Sequence, residues 1–286
     1  MVSALRRTAP PFFAIGGLGG SGTRAAAILA RNCGCWLGGD LNDALDNLWY
    51  TLLFKRASAL TDSETRLETL FRLFLGRMEG TLPEPGDMKH LRALAAQDRP
   101  DHTSVWLAAR LESFTAPDAP RPQGSRSGWK EPNTHILIEH FFRYTPALKY
   151  VHVVRDPFYM ASSKNQNQLK NWGRVFLDRD LVGGARDALA YWAAAHKRLE
   201  QIQADYPGRI LFFSHDALMA DPAQEAARLI DFLDLEPPAD ERQLFQGIVL
   251  RPAKRPDEAV LAAQADPDDL AYCKIFAERR IRRAMP

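Results

Sequence analysis

Gly16, Gly17, Gly19, Gly20 and Gly22 crowd into one short stretch, with Ser21 among them and Thr23 directly after. Glycines let a backbone turn through positive φ and bring its N–H groups close to a ligand. The apolar run Phe12 to Ile15, after Pro10-Pro11, reads as a buried strand leading in, and Ala25 to Leu29 as a helix leading out. A strand, a glycine turn and a helix N-terminus together form a cradle for an anion, because the first N–H groups of a helix are unpaired and its dipole favours negative charge. The chemistry expected here is phosphate binding. Which phosphate stays open at this level. Gly17 to Thr23 lacks the lysine of the nucleoside-triphosphate loop. Gly17, Gly19 and Gly22 have the spacing of a dinucleotide loop, with Asp40 or Asp43 at roughly the position its acidic partner would take.

A second group with anion chemistry is Arg155, which directly follows an apolar strand over Leu148 to Val154, with Ser163 eight positions later. A guanidinium offers a fork of donors matched to phosphate, and a hydroxyl adds a further contact. The plainer alternative pairs Arg155 with Asp156 and leaves Ser163 on a helix surface.

Positioning these groups requires an α/β framework. Leu45 to Leu53 and Leu67 to Leu75 have helical spacing and read as packing elements, and Ala116 to Ser127, with Arg121 and Arg126, reads as a loop of solvated charges. A helix is expected over about 135–144, a long one over about 186–204, a strand over Ile210 to Phe213, and a further helix from Asp221-Pro222. Strands alternating with helices imply a three-layer α/β fold whose central sheet is mostly parallel, with ligands at the carboxyl ends of its strands. The glycine loop and Arg155 both fall at such ends. We expect a single domain over 1–286, with a mainly helical insertion at about 41–127.

Composition narrows the class. Of the 286 residues, 46% are hydrophobic and the net charge is +2, which argues against a dedicated nucleic-acid binder. No apolar run is long enough to span a bilayer. The odd count of three cysteines, with Cys33 and Cys35 too close for an ordinary disulfide, points to a reducing compartment. The expected location is the cytoplasm, with neither nucleic acid nor membrane as partner.

In this order and spacing the segments resemble the sulfotransferase superfamily. Gly19 to Arg24 is similar to its 5′-phosphosulfate loop; Val153 to Pro157 with Ser163 is similar to its 3′-phosphate motif. Trp129-Lys130-Glu131-Pro132 resembles its lysine-x-proline element, and Phe212 to Pro222 with Phe232-Leu233 resembles its closing strand-turn-helix pattern. The resemblance spans about 12–235. It implies 3′-phosphoadenosine-5′-phosphosulfate as donor, with no metal, and a small-molecule or carbohydrate acceptor bearing a hydroxyl or amine.

Carried onto this chain, the resemblance assigns the donor to Gly19, Gly20, Ser21, Gly22, Thr23, Arg24, Arg155 and Ser163. The loop residue that is usually basic is Gly20 here, so the cation steadying the bridging oxygen is assigned to Arg24 or Lys130. The favoured general base is Asp40, with Glu131 and Asp43 behind it; Asp43 could instead cap the next helix, and Asp46 is expected on that helix's surface. Glu131 could simply pair with Lys130. His152 reads as a core residue, and His135, His140, His196 and His215 show no partner. Arg251, Lys254 and Arg255 are either a basic C-terminal loop or a solvated run. Two rival classes remain: a P-loop-type small-molecule kinase with Asp156 as magnesium ligand, and a non-catalytic nucleotide-binding protein of the same fold.

Overall fold

The computed structural model describes residues 12–117, 125–249 and 256–281; Pro10, Pro11, Arg121, Arg251, Lys254 and Arg255 lie outside them. Strand β1 (Phe13–Gly17) leads through the glycine loop into helix α1 (Thr23–Asn32). A helical stretch follows: α2 (Leu48–Phe54), α3 (Glu64–Met78), α4 (Met88–Ala95) and α5 (Ser104–Thr115). Strand β2 (Gly128–Lys130) and α6 (Ile138–Tyr144) precede β3 (Lys149–Val154), α7 (Pro157–Ala161), α8 (Asn167–Leu177) and the long α9 (Gly184–Asp205). Then come β4 (Ile210–Ser214), α10 (His215–Ala220), α11 (Pro222–Leu233), α12 (Glu241–Leu244), α13 (Glu258–Ala262) and α14 (Pro267–Phe276).

The four strands form one parallel sheet in the order β2-β1-β3-β4. Side chains alternate across it, as the period of two along a strand demands. Phe13, Ile15, Val151, Val153 and Phe213 pack with Ala26, Leu29 and Leu229 of α1 and α11. Ala14, Tyr150, Val154 and Phe212 face the opposite layer, built on α2, α3, α6, α9 and α14. The three-layer α/β architecture is therefore real.

Three sequence expectations are corrected. Gly128 to Lys130, ahead of the helix expected from 135 and not expected to be a strand, is the edge strand β2, paired with Phe13 to Ile15. The helix expected over 135–144 is divided into a 3₁₀ turn (Pro132–Ile136) and α6. Arg126, expected as a solvated charge, is half-buried, and its Nη1 donates to the Asp234 carbonyl at 3.1 Å.

Beneath the sheet on the α9 side, His135, His152 and His196 are buried together, with ring centroids 5.9 Å apart for the first pair and 5.1 Å for the second. His152 is thus a core residue. The partners missing from sequence are the Pro132 carbonyl and Tyr191 hydroxyl for His135, the Tyr150 hydroxyl for His152 and the Trp192 carbonyl for His196. Burial pushes all three pKa values down, to about 3 for His135 and about 4 for His196. Above pH 6.5 both folded and unfolded chains carry these rings neutral. Below it, only the unfolded chain takes up the protons, at a cost of about 1.4 kcal/mol per pH unit for each ring. The melting temperature is therefore expected to fall steeply from pH 6.5 to about 4 and hold nearly level above pH 7. His196→Asn, which keeps a donor for the Trp192 carbonyl, should make the fall shallower in melts across that range. An equally steep fall in this variant would show that the cluster is not its source.

Candidate active site

Helix α1 packs on one face of the sheet, whereas α7 to α9, which follow β3, pack on the other. Because β1 and β3 are neighbours, their connections diverge and leave a crevice at their carboxyl ends, the position where open parallel sheets bind ligands. The glycine loop and the Arg155–Ser163 segment are the two lips of that crevice.

The loop is shaped for close approach. Gly22 stands before α1 in the left-handed conformation, with φ of 91°, and no side chain caps the helix. The N–H groups of Thr23 and Arg24 are therefore open to an anion, whereas that of Ala25 donates to the Gly22 carbonyl at 2.9 Å. Ser21 is buried and its hydroxyl has no hydrogen-bond partner among the described residues; Thr23 is buried at the helix start. The N–H of Ser21 itself is committed to the Leu18 carbonyl at 3.0 Å, so it is not among the open donors. Arg24 projects outward, exposed.

Arg155 reaches the loop from the other lip. Its Nη1 donates to the Gly20 carbonyl at 3.2 Å, its guanidinium lies 5.2 Å from the Tyr159 ring centroid, and its Nε is buried without a partner. Asp156, the plainer partner considered for it, caps α7 through the N–H groups of Phe158 and Tyr159. Ser163 lies just past α7, and a Cβ added at Gly20 would lie 3.0 Å from its hydroxyl oxygen. The space at Gly20 is thus filled by Ser163 and Met160. With φ of 91° at that residue as well, a basic side chain there would strain the backbone and displace the serine.

Sequence reasoning missed the clamp on this loop. Gln168, in the first turn of α8, accepts from the Gly19 N–H and donates to the Gly17 carbonyl, both at 3.1 Å. Its signal was the polar run Asn165 to Asn171, and a buried glutamine in such a run needs both ends of its amide satisfied. Gln168→Ala should cost about 1–3 kcal/mol in loop stability by leaving two loop groups unpaired, read as faster amide exchange at Gly19. Unchanged exchange would show that the loop holds its shape alone.

His215, which the sequence left without a partner, stands against the glycine loop. It opens α10 with its imidazole against Gly22, where a Cβ on the glycine would lie 2.1 Å from the ring. Burial, then the nearby Arg155 charge, pushes its pKa down to about 4, so the ring is neutral at pH 7. Asp216, beside it, accepts from the Asp156 N–H at 2.8 Å and ties the end of β4 to that of β3.

The remaining candidates stand at the end of β2. Lys130 is buried and directs its ammonium to Asp46 and to the Ala44 carbonyl. Asp46 therefore precedes α2 as the partner of Lys130 instead of lying on the helix surface, and Asn47, not Asp43, caps α2. Asp43 is exposed. Glu131 is buried, with Lys55 at 3.8 Å as its cation instead of Lys130, and burial raises its pKa. Asp40 lies in a bend, not at a strand end; its Oδ1 takes a 3.1 Å ion pair from Arg110, and its Oδ2 is buried without a partner. Trp49, Trp129 and Trp172 are core residues.

A sequence-family model for the sulfotransferase family matches residues 44–240, more than half of the chain. The chain belongs to the sulfotransferase family. As a sulfotransferase it is an enzyme of sulfuryl transfer; the match takes in Lys130, Arg155 and Ser163 and begins after the glycine loop. Among solved structures it is similar to sulfotransferase STF9 from Mycobacterium avium, at 16% identity and a TM-score of 0.47, covering 95% of this chain and 76% of that one. It is likewise similar to the sulfotransferase domain of the Synechococcus PCC 7002 olefin synthase, at 16% identity and a TM-score of 0.47, covering 95% of this chain and 96% of that one. No curated protein matches. Among the described residues, no helix is long and apolar enough to cross a membrane.

Proposed function

We propose that this sulfotransferase takes its sulfuryl group from 3′-phosphoadenosine-5′-phosphosulfate and passes it to a hydroxyl or amine of a small metabolite or carbohydrate. The observation that supports this reading is the meeting of Arg155 and Ser163 with Gly20, which brings together the two stretches proposed to bind the donor's phosphates. The donor has two separate phosphate groups, and its activated phosphosulfate bond supplies the sulfuryl group when bound.

The residues present fit such a molecule. The open end of α1, with the Ser21 and Thr23 hydroxyls, would hold the 5′-phosphate; Arg155 and Ser163 would hold the 3′-phosphate, on the guanidinium face that has an unpaired Nε. Catalysis of this kind rests on alignment and on donors placed where negative charge grows. Gln168 keeps the loop in shape for that purpose, and Asp40 is the proposed proton acceptor. Arg24 and Lys130 are the proposed cations for the departing oxygen. Lys130 would have to exchange Asp46 for it, whereas Arg24 is exposed on the first turn of α1.

Calorimetric titration with adenosine 3′,5′-bisphosphate, set against ADP with magnesium, tests the donor class. Preference for the bisphosphate is expected. Preference for ADP with magnesium would replace this reading with a kinase, although Asp156 already spends its Oδ1 on capping α7. Bisphosphate binding with no transfer to any acceptor would favour a non-catalytic role. Within the same titration, Arg155→Ala should weaken the bisphosphate by about 1.5–3 kcal/mol, the worth of hydrogen bonds to a charged group, and weaken AMP far less. Equal losses would remove Arg155 from the 3′-phosphate.

A further inference from the structure

Helix α8 has a buried tie besides the loop clamp. Gln168 and Trp172 stand four positions apart, so they share one face of the helix, and both are buried. Gln168 holds Gly17 and Gly19, while Trp172 donates its Nε1–H to Asn133 Oδ1 at 2.8 Å. Among the described residues, these are the buried side chains through which α8 hydrogen-bonds to other elements. Asn171 adds a bond at the surface, to Asp101 at 3.1 Å.

Asn133 is held at its other end as well. Its Nδ2 donates to Glu131 Oε1 at 2.9 Å, and its backbone N–H donates to Glu131 Oε2. An indole only donates and a carboxylate only accepts, so one orientation of the Asn133 amide serves both. Asn133 and Glu131 are buried, where an unmet polar group is costly. Glu131 in turn is fixed to the sheet: its N–H donates to the Ile15 carbonyl at 3.0 Å, and Lys55 lies 3.8 Å from its carboxylate. The bonds therefore close a ring. It leaves β1 at Ile15, runs through Glu131, Asn133 and Trp172 into α8, and returns to β1 through Gln168 at Gly17.

We infer that Asn133 is a positioning residue for the glycine loop, acting through Trp172 and Gln168. The clamp on Gly17 and Gly19 keeps its geometry only while α8 keeps its place over the loop. Apolar contact of Leu169 and Trp172 with the core brings α8 close but has little directionality. The Trp172–Asn133 hydrogen bond supplies the direction, and Glu131 makes Asn133 a rigid partner for it. The consequence for nucleotide binding rests on the donor reading above; the mechanical link to the loop does not.

Amide exchange at Gly19 and calorimetric titration with adenosine 3′,5′-bisphosphate, both on the full chain, test the link. Trp172→Phe keeps a ring in the core and removes the donor; Asn133→Ala removes the acceptor. Each is expected to speed exchange at Gly19 and to weaken the bisphosphate about three- to tenfold, the worth of one hydrogen bond. The deciding readout is the pair of double variants with Gln168→Ala. A residue that acts through Gln168 has nothing left to position there, so neither change should add a further loss of affinity or of protection at Gly19. A residue that merely supports the fold adds its loss in full. Additive losses, or unchanged exchange at Gly19 in either single variant, would overturn the proposal. If Asn133→Ala does not fold, Trp172→Phe carries the same comparison alone. Should the parent chain fail to bind the bisphosphate, the donor assignment falls, and exchange at Gly19 still decides the link.

Discussion

Gly22→Ala is expected to abolish bisphosphate binding and to lower the melting temperature. Two independent costs coincide at this residue. Its φ of 91° is left-handed, where an L side chain costs about 1–2 kcal/mol. Its Cβ would also fall 2.1 Å from His215 Cδ2, closer than non-bonded atoms approach, so the loop and the half-buried ring must part. Displacement of the loop would take the N-terminus of α1 out of line with Arg155. Gly22→Ala/His215→Ala separates the two costs: it should recover the steric part and leave the strain. If the single variant binds the bisphosphate normally, the N-terminus of α1 is not the 5′-phosphate site. Calorimetry alongside thermal melts distinguishes loss of the site from loss of the fold.

Asp40→Asn is expected to lower turnover by about 10²–10⁴-fold, the usual worth of a positioned general base, with bisphosphate affinity nearly unchanged. One oxygen of Asp40 is anchored by Arg110 and the other is buried and unpaired, so the carboxylate is oriented with a lone pair to spare. Asparagine keeps the shape and removes the basicity. The competing role is structural, since Asp40 also accepts the Leu48 N–H through its carbonyl and joins α2 to α5 through Arg110. Arg110→Ala discriminates: a structural role predicts that it destabilises the chain as Asp40→Asn does, whereas a base predicts a shifted pH–rate profile. If turnover survives Asp40→Asn, Glu131 is next in line, with its raised pKa but with both carboxylate oxygens bonded to Asn133.

Features with local causes were legible in the order of residues alone. Glycines flanked by an apolar strand and an alanine-rich helix can hardly form anything but the β1–loop–α1 cradle. An apolar run ending in Arg155 places that arginine at a strand's carboxyl end, and the alternation of Val151 and Val153 with Tyr150 and His152 follows from the period of a strand. The order of strands and helices was enough for a parallel three-layer sheet.

Features that depend on partners distant in the chain emerged only from packing. Strand β2 has only three residues, too few to show a period, and exists because β1 offers it an edge to pair with. Charge pairing could not be assigned from adjacency. Lys130 lies next to Glu131 in sequence, but strand geometry turns neighbouring side chains to opposite faces, so it meets Asp46 while Glu131 meets Lys55. Gln168 and Gly17 are 151 positions apart, and Asp40 and Arg110 are 70 apart. Local propensity carries no information about such contacts; they arise only when packed helices bring their side chains to the ends of the sheet.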